Sequence, residues 1–246
     1  MAVRTKVCGG QPTQFFNPQH HPPEKEYEMT KFDNAWGYSK LSCFEECKAR
    51  FMYQFIKKLP TKGSAAMDRG SRIHEAIESW LNGWTPDLPI EAEGWREVLE
   101  ALKAKELKAE AAWGFDKNWK LLPDWFGKTC WLRAKSDAHF IKDGHLTVID
   151  WKTGRYRVPS TEQVELYAIA GDCVYPEATQ VTAQMVFIDS DDEYSRTYSR
   201  AELEALKAKY ETRVAPMYTE EAWKPTPSSG CRYCDFSKTK GGTCQY

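Results

Sequence analysis

Apolar residues at helical spacing dominate the first half of the chain. They predict one helix over residues 38–58, with Ser39 as a candidate N-cap, and a second over 67–83. A third helix is predicted over 91–112, a stretch rich in Ala, Leu, Glu and Lys. Residues 1–35 carry several prolines and no sustained periodicity, so we expect an extended or mobile arm there.

From Cys130 onward the pattern changes to the shorter apolar runs that are typical of strands. It predicts strands over 131–141, 146–153, 181–189 and 194–198, and helices over 161–172 and 201–214. We therefore expect one α/β (α+β) domain over residues 36–246. Its parts are a helical region over 38–112, a sheet core over 121–214 and a cysteine-rich tail over 223–246.

Composition is that of a soluble globular protein, since 41% of the 246 residues are hydrophobic and 28% are charged. The first thirty residues have no basic start followed by a long apolar run, and no stretch has the length and hydropathy of a membrane span. A cytoplasmic location is therefore expected. The net charge of −1 implies that a nucleic-acid partner would need a locally basic surface.

The most informative segment is Lys142-Asp143-Gly144-His145, because Asp-Gly between two apolar runs is a strong signal for a two-residue hairpin loop. With that loop, the register places Asp137 opposite Asp150 on one face of the hairpin. The same register sets Lys135 against Lys152. This unfavourable pairing suggests that the strands diverge by that level or that a phosphate lies nearby.

Two carboxylates in this arrangement predict a divalent metal site. Cross-strand Cβ atoms are about 5 Å apart, and like charges at about 4 Å repel by roughly 4 kcal/mol at an effective dielectric of about 20. Carboxylate oxygens suit Mg²⁺ or Mn²⁺. Lys152 follows Asp150 on the same strand face, where an ammonium could orient a water and offset charge on a phosphorane. The pattern predicts cleavage of a phosphodiester.

Acid-x-Lys triplets are common, and a surface ion pair is the alternative interpretation of Asp150 and Lys152. The position of the triplet favours a site, because Leu146, Val148 and Ile149 make the strand apolar up to Asp150. Charged residues at the end of such a buried strand need a partner or a function.

Asp137 together with Asp150-Trp151-Lys152 resembles the RecB-like nuclease domains of the PD-(D/E)xK superfamily. The resemblance is strongest to the iron-sulfur exonucleases, which include a CRISPR adaptation nuclease family, and it covers roughly residues 38–244. It implies a restriction-endonuclease-like core, in which helices flank a central mixed β-sheet, with a metal-stapled tail.

Two further motifs support the resemblance. Arg69-Gly70-Ser71-Arg72-Ile73-His74 resembles the family's Gly-x-x-x-His helix, which implies that His74 binds the metal with Asp137, Asp150 and the Trp151 carbonyl. Gln163 and Tyr167 match the family's Gln-x-x-x-Tyr motif. They share one helix face, which the resemblance implies is turned toward Lys152 and bound DNA.

The tail contains a second candidate metal site, formed by Cys231, Cys234 and Cys244. In a reducing compartment, clustered cysteines are better candidates for metal ligands than for disulfides. The resemblance implies a [4Fe-4S] cluster with Cys47 as the fourth ligand. The spacing before Cys244 is longer than is usual in the family, which keeps Zn²⁺ as an alternative. Cys43, one helical turn before Cys47, is the alternative ligand.

Together these features predict a Mg²⁺- or Mn²⁺-dependent deoxyribonuclease, an exonuclease acting on single-stranded DNA or DNA ends. The resemblance also implies protein partners in recombination, repair or CRISPR adaptation. Two other interpretations stay open. One is a catalytically silent DNA-binding or scaffold protein, and the other is a zinc-stapled module in which the Asp-x-Lys segment is incidental.

Overall fold

A six-stranded mixed sheet forms the centre of the protein in a computed structural model that describes residues 31–105, 107–154 and 161–246. The strands are β1 (Lys108–Phe115), β2 (Leu121–Leu122), β3 (Leu132–Lys142), β4 (His145–Lys152), β5 (Gln180–Phe187) and β6 (Asp192–Tyr198). Their order is β2-β1-β3-β4-β5-β6. The β4–β5 pair is parallel and the other neighbours are antiparallel. The expected mixed sheet flanked by helices is confirmed.

Helices cover both faces of this sheet. They are α1 (Tyr38–Glu46), α2 (Lys48–Phe51), α3 (Ala65–Leu81), α4 (Arg96–Lys103), α5 (Thr161–Val174) and α6 (Arg200–Thr219), with a π-helical turn over Met52–Ile56 and 3₁₀ turns over Ile90–Trp95, Ser229–Tyr233 and Lys238–Lys240. Two of the long helices begin at serine caps. The Ser64 hydroxyl accepts from the Met67 amide, and Ser199 forms a capping box with Glu202.

The prediction of a third helix over residues 91–112 is wrong in its second half. Helix α4 ends at Lys103, and strand β1 begins at Lys108. The Ala-rich sequence has helical propensity, but β1 pairs with β3 from Lys108 to Phe115. This pairing satisfies backbone groups of β3 that would otherwise lie at an open sheet edge, so tertiary pairing overrides a weak local preference.

The predicted helix over residues 38–58 is also interrupted. Cys47 has an extended backbone (φ −160°, ψ 108°) and separates α1 from α2. The N-cap of α1 is Gly37 and not Ser39. A Cβ atom at Gly37 would lie 2.8 Å from the Arg133 carbonyl oxygen, so the chain enters α1 too close to β3 for any larger residue. This contact is not visible in local sequence.

The predicted hairpin is confirmed. Lys142 pairs with His145, and the antiparallel register continues to Ala138 and Ile149, where the ladder of described pairs ends. Both loop residues have positive φ (52° for Asp143 and 74° for Gly144), as a type I′ turn requires. The strands therefore diverge before the level of Asp137 and Asp150, which was one of the two explanations for the opposed lysines.

Lys135 does not lie opposite Lys152, as it would if the β3–β4 ladder continued to its level. It pairs with Ala112 of β1, and its Nζ atom lies 2.5 Å from Glu110 Oε1. The charge of Lys135 is thus neutralised on the β1 side. The register predicted from the sequence holds as far as Ala138. On the N-terminal side of that residue, the pairing of β3 with β1 sets the position of Lys135.

The two faces of the sheet carry separate hydrophobic clusters. Helices α3 and α4 pack on the face that includes Ile149 and Trp151, whereas α1, α5 and α6 pack on the face that includes Leu146 and Val148. Side chains alternate between the two faces along β4, so Asp150 lies on the same face as Leu146 and Val148, which is the face that α5 covers. Residues 1–30, most of the predicted arm, lie outside the described residues; Phe32 is buried against Phe51. In the described part, no helix has the length and hydropathy to cross a membrane.

Replacement of Gly171 by alanine tests the close contact between α5 and β4. Replacing glycine by alanine in the interior of a helix normally stabilises the folded protein by about 1 kcal/mol. At Gly171, however, a Cβ would lie 2.7 Å from Leu146 Cδ2 and 3.0 Å from Val148 Cγ2. We therefore expect Gly171→Ala to lower the free energy of unfolding by about 1–3 kcal/mol in urea denaturation.

Leu146→Ala removes the nearest obstructing group and provides the control. In a double-mutant cycle, the cost of Gly171→Ala should become smaller in the Leu146→Ala background. A stabilising effect of Gly171→Ala in the wild-type background would contradict the close packing of α5 on β4.

Candidate active site

Asp150 and Lys152 form a close ion pair at the end of β4. Asp150 is 4% exposed, and Lys152 Nζ lies 2.6 Å from its Oδ2 atom. That oxygen is buried and accepts no well-directed hydrogen bond from the described residues. Burial raises the pKa of Asp150, the Lys152 ammonium lowers it, and the Asp137 charge raises it again, with a net increase. The carboxylate is thus an under-compensated buried anion.

Asp137 lies beside this pair and connects it to α3. Its Oδ2 atom accepts a hydrogen bond from the Trp151 amide at 2.8 Å, and its Oδ1 atom lies 3.3 Å from His74 Nδ1. Burial lowers the pKa of His74, but the hydrogen bond to Asp137 and the charges of Asp137 and Asp150 outweigh burial, so the pKa is raised overall. Residues from β3, β4 and α3 therefore meet at one point.

Helix α5 completes the arrangement through Gln163 and Tyr167. Lys152 Nζ donates to Gln163 Oε1 at 2.9 Å, and Gln163 Nε2 donates to the Tyr167 hydroxyl at 2.7 Å. Burial and the nearby carboxylate charges raise the pKa of Tyr167 well above its usual value, so the phenol stays protonated and is hydrogen bonded to Asp150. The four side chains form a closed ring that limits the positions open to the Lys152 ammonium.

A second contact network fixes α3 against the sheet. Arg69 donates two hydrogen bonds of 2.8 Å to the Asp189 carboxylate, which also accepts from the Gly154 amide at 2.6 Å. Gly154 has a φ of 105°, which suits glycine, and a Cβ at Gly70 would lie 3.1 Å from Thr153 Oγ1. The helix therefore crosses close to the end of β4, where it presents its histidine.

Sequence reasoning did not identify Asp189 as part of this site. The available signal was its position, because Asp189 follows the apolar run that ends at Ile188, as Asp150 follows the run that ends at Ile149. Its partner Arg69 stands 120 residues earlier in the chain, and no local pattern relates the two.

The donor atoms at this centre suit a hard divalent cation. Among the residues that the structure describes, no group of three or more His, Cys, Asp or Glu side chains is arranged to hold a metal ion. Asp137 and Asp150 are instead contacted by His74 and Lys152. The buried Asp150 oxygen that lacks a directed hydrogen bond, next to a second carboxylate and an imidazole, nevertheless offers the oxygen and nitrogen ligands that such an ion binds.

Four cysteines line one small cavity with a volume of about 20 Å³. They are Cys47, Cys231, Cys234 and Cys244. Cys43 is not among the residues that line the cavity; it is 6% exposed, and burial raises its pKa to about 12. The structure thus brings the tail cysteines to the break between α1 and α2.

Backbone amides contact two of these sulfur atoms. The Thr226 amide donates to Cys47 Sγ and the Ser228 amide donates to Cys231 Sγ, both at 3.4 Å. In iron-sulfur proteins, N–H···S bonds of this kind tune the potential of the cluster. Four thiol groups are the donor number that Zn²⁺ or an iron-sulfur cluster uses, although the four described cysteines are not arranged as a group that could hold a metal ion.

Comparison with known proteins assigns the family. The model of the PD-(D/E)XK nuclease superfamily matches residues 35–140 and 124–239. The chain therefore belongs to the PD-(D/E)XK nuclease superfamily, and it is a nuclease. No curated protein is similar enough in sequence to count as a relative.

Solved structures share the fold at low sequence identity. An Eubacterium rectale protein named “Putative exonuclease” is 13% identical with a TM-score of 0.50, over 87% of this chain and 93% of that one. The protein SSO0001 is 15% identical with a TM-score of 0.45, over 85% of this chain and 87% of that one. The first of these similarities supports the fold alone.

Replacement of Asp189 by asparagine tests the contact that holds α3. The hydrogen bond from Arg69 and that from the Gly154 amide lower the pKa of Asp189 below 3.8, against the effect of burial. Because the folded-state pKa is depressed, the stabilisation exists above that pH and disappears as pH falls through the lowered value. Asp189→Asn should lower the free energy of unfolding near neutral pH by about 1 kcal/mol or less.

The difference between wild type and Asp189→Asn should shrink when urea unfolding is followed below about pH 3.8. Glu93→Gln is a matched control, since Glu93 also accepts two hydrogen bonds from an arginine, but that arginine, Arg96, is only three residues away in the chain. It should change stability little at any pH. An equal loss in both variants would contradict a special role for the Arg69–Asp189 contact.

Proposed function

We propose that this nuclease hydrolyses phosphodiester bonds of DNA in a Mg²⁺- or Mn²⁺-dependent reaction. The observation that carries the proposal is the position of Lys152, whose ammonium is held 2.6 Å from Asp150 and 2.9 Å from Gln163 at the end of a buried strand, beside Asp137. A half-buried lysine fixed next to two carboxylates and a histidine matches the needs of phosphoryl chemistry better than those of stability.

Asp137, Asp150, His74 and the Trp151 carbonyl are the proposed metal ligands. A divalent ion bound there supplies Lewis acidity, which polarises a phosphate oxygen and lowers the pKa of a water. Lys152 places a fixed positive charge where negative charge develops on the phosphorane, and it also orients the attacking water.

Gln163 and Tyr167 are proposed as positioning residues for this centre. Gln163 accepts from the Lys152 ammonium, so it limits the rotamers of the long lysine side chain. Tyr167 stays protonated and is hydrogen bonded to Asp150, which fixes the orientation of that carboxylate. A preformed arrangement of this kind avoids reorganisation during the reaction.

The finer proposal is an exonuclease that acts on single-stranded DNA or on DNA ends. It rests on the resemblance of the His74, Asp150-Trp151-Lys152 and Gln163/Tyr167 motifs to iron-sulfur exonucleases. The Eubacterium rectale protein of similar fold is also named as an exonuclease. Partners in recombination, repair or CRISPR adaptation remain a prediction from the same resemblance.

Cleavage of end-labelled single-stranded and duplex DNA tests the activity, with Mg²⁺, Mn²⁺ or EDTA and protein prepared without air. Asp150→Asn and Lys152→Met should each reduce metal-dependent turnover by about 10²–10³ or more, because each removes charge at the reacting centre. Asp143→Asn is the control, since it lies in the loop of the same hairpin with a φ of 52°, which asparagine tolerates.

Wild-type turnover by folded Lys152→Met would show that the assigned centre is wrong. If folded, metal-loaded wild type cleaves none of these substrates, a catalytically silent DNA-binding or scaffold protein becomes the better interpretation.

We also propose that the four cysteines of the tail cavity hold a [4Fe-4S] cluster. The support is their common cavity, the amide hydrogen bonds to two of the sulfurs, and the resemblance to iron-sulfur exonucleases. Such a cluster would join the break after α1 to the C-terminal tail and so close a loop of most of the domain. Its contribution would be mainly to stability.

Metal analysis of Cys47→Ser and Cys43→Ser tests the ligand set. Cys47→Ser should lose bound iron and unfold at a lower temperature, because Cys47 lines the cavity, whereas Cys43→Ser should keep its iron because Cys43 does not. Iron, zinc and acid-labile sulfide are measured in anaerobically purified protein. Bound zinc without acid-labile sulfide would show that the site holds Zn²⁺ and not a cluster. Loss of metal in Cys43→Ser but not in Cys47→Ser would show that Cys43 is the fourth ligand.

A further inference from the structure

A cleft of about 340 Å³ lies directly beside the catalytic centre. One wall is formed by Gln163 and Tyr167, the two α5 residues that contact Lys152 and Asp150. The remaining walls are the start of α1, the beginning of β3 and the preceding loop, with Trp36 to Lys40, Arg133 to Lys135 and Trp125. The cleft therefore adjoins the residues that hold Lys152.

The cleft is lined by two cations, Arg133 and Lys40, of which Lys40 also lies over the Phe32 and Phe55 rings, 5.6 and 5.8 Å from their centroids. Arg133 Nε donates to the Trp125 carbonyl at 2.9 Å, and Lys40 Nζ donates to the Ala35 carbonyl at 2.5 Å. Neither side chain forms an ion pair with a carboxylate of residues 31–105, 107–154 or 161–246. Both side chains line the same cleft, and burial together with the charge of Arg133 lowers the pKa of Lys40. An anion between them would relieve the repulsion between the two charges.

Aromatic rings stand next to the Arg133 guanidinium. Its central carbon lies 5.6 Å from the centroid of Trp125 and 5.3 Å from that of Phe126. Phe126 is 80% exposed, so the face of its ring is open to a stacking base. Sequence-tolerant binding of single strands combines basic side chains that follow the backbone with rings that stack on unpaired bases.

We propose that this cleft binds the nucleotide adjacent to the scissile phosphate of single-stranded DNA. Arg133 and Lys40 contact its phosphate, and Phe126 with Trp125 stacks on its base. The inference rests on the proposed function, since the neighbouring phosphate is the one that reacts at Lys152. Bases of a duplex are already paired and stacked, so the rings favour unpaired DNA. Arg133 and Phe126 are thus binding residues, without a part in the chemical step.

Steady-state cleavage of a labelled single-stranded oligonucleotide is compared with hydrolysis of bis(p-nitrophenyl) phosphate, a diester too small to reach both the centre and the cleft. Arg133→Gln should raise KM for the oligonucleotide about tenfold, with kcat and small-diester hydrolysis unchanged. The slope of log affinity against log salt should fall by about one. Arg196→Gln is the control. Arg196 lies on edge strand β6, and its guanidinium also lies over an aromatic ring, that of Tyr198. This variant should match wild type.

Phe126→Ala provides a second variant, because Arg133→Gln also removes the bond to the Trp125 carbonyl and could disturb the loop. The exposed ring contributes little to folding, and its loss should raise the oligonucleotide KM about fivefold or more. Fluorescence anisotropy of labelled single-stranded and duplex DNA in EDTA measures binding apart from cleavage. Both variants should weaken binding of the single strand more than that of the duplex.

The outcomes separate the two proposals. If wild type cleaves both substrates but Arg133→Gln and Phe126→Ala match it in KM and salt dependence, the cleft proposal is overturned and the nuclease centre stands. Equal weakening of single-strand and duplex binding would overturn the assignment to unpaired DNA. If wild type cleaves neither substrate while both variants still lose single-strand affinity, the cleft stands and the proposed reaction fails.

Discussion

Burial of the Asp150 carboxylate is the constraint on which the arrangement of this protein depends. An ionised carboxylate at the end of an apolar strand costs several kcal/mol unless compensating charge and hydrogen bonds surround it. Lys152 supplies the charge and Tyr167 a hydrogen bond, but the second carboxylate, Asp137, works against both. The site is therefore electrostatically incomplete, which agrees with the proposal that it binds a cation and a phosphate and is not optimised for stability.

Three separate devices bring compensating groups to this point. The tight hairpin turn at Asp143 returns the chain so that β3 delivers Asp137 beside β4. The close approach of Gly171 to β4 lets α5 present Gln163 and Tyr167 to the lysine. The Arg69–Asp189 contact holds α3 so that its histidine reaches the same place from the opposite layer of the sheet. The geometry of the candidate site is thus set by packing contacts outside it.

The site and the proposed DNA cleft differ in how far sequence reveals them. Asp150 and Lys152 stand two residues apart on one strand, so their proximity is a property of any extended chain. Arg133 and Lys40 come from separate elements, and they meet only because Gly37 lets α1 pack within contact distance of the β3 backbone. The basic surface that a nucleic-acid partner needs is therefore invisible in a net charge of −1.

The sequence by itself determined the hairpin register, most of the strands, and the face that carries Asp150 and Lys152, because short-range geometry and turn chemistry decide these. Family resemblance added His74 and the α5 pair. Tertiary structure alone decided that the Ala-rich stretch after Lys103 becomes strand β1, since pairing along the open edge of β3 overrides the helical propensity of this stretch. It also decided the divergence of β3 and β4 beyond Ala138, the clamp at Asp189 and the cleft at Arg133, because each arises from contacts between segments that are distant in the chain.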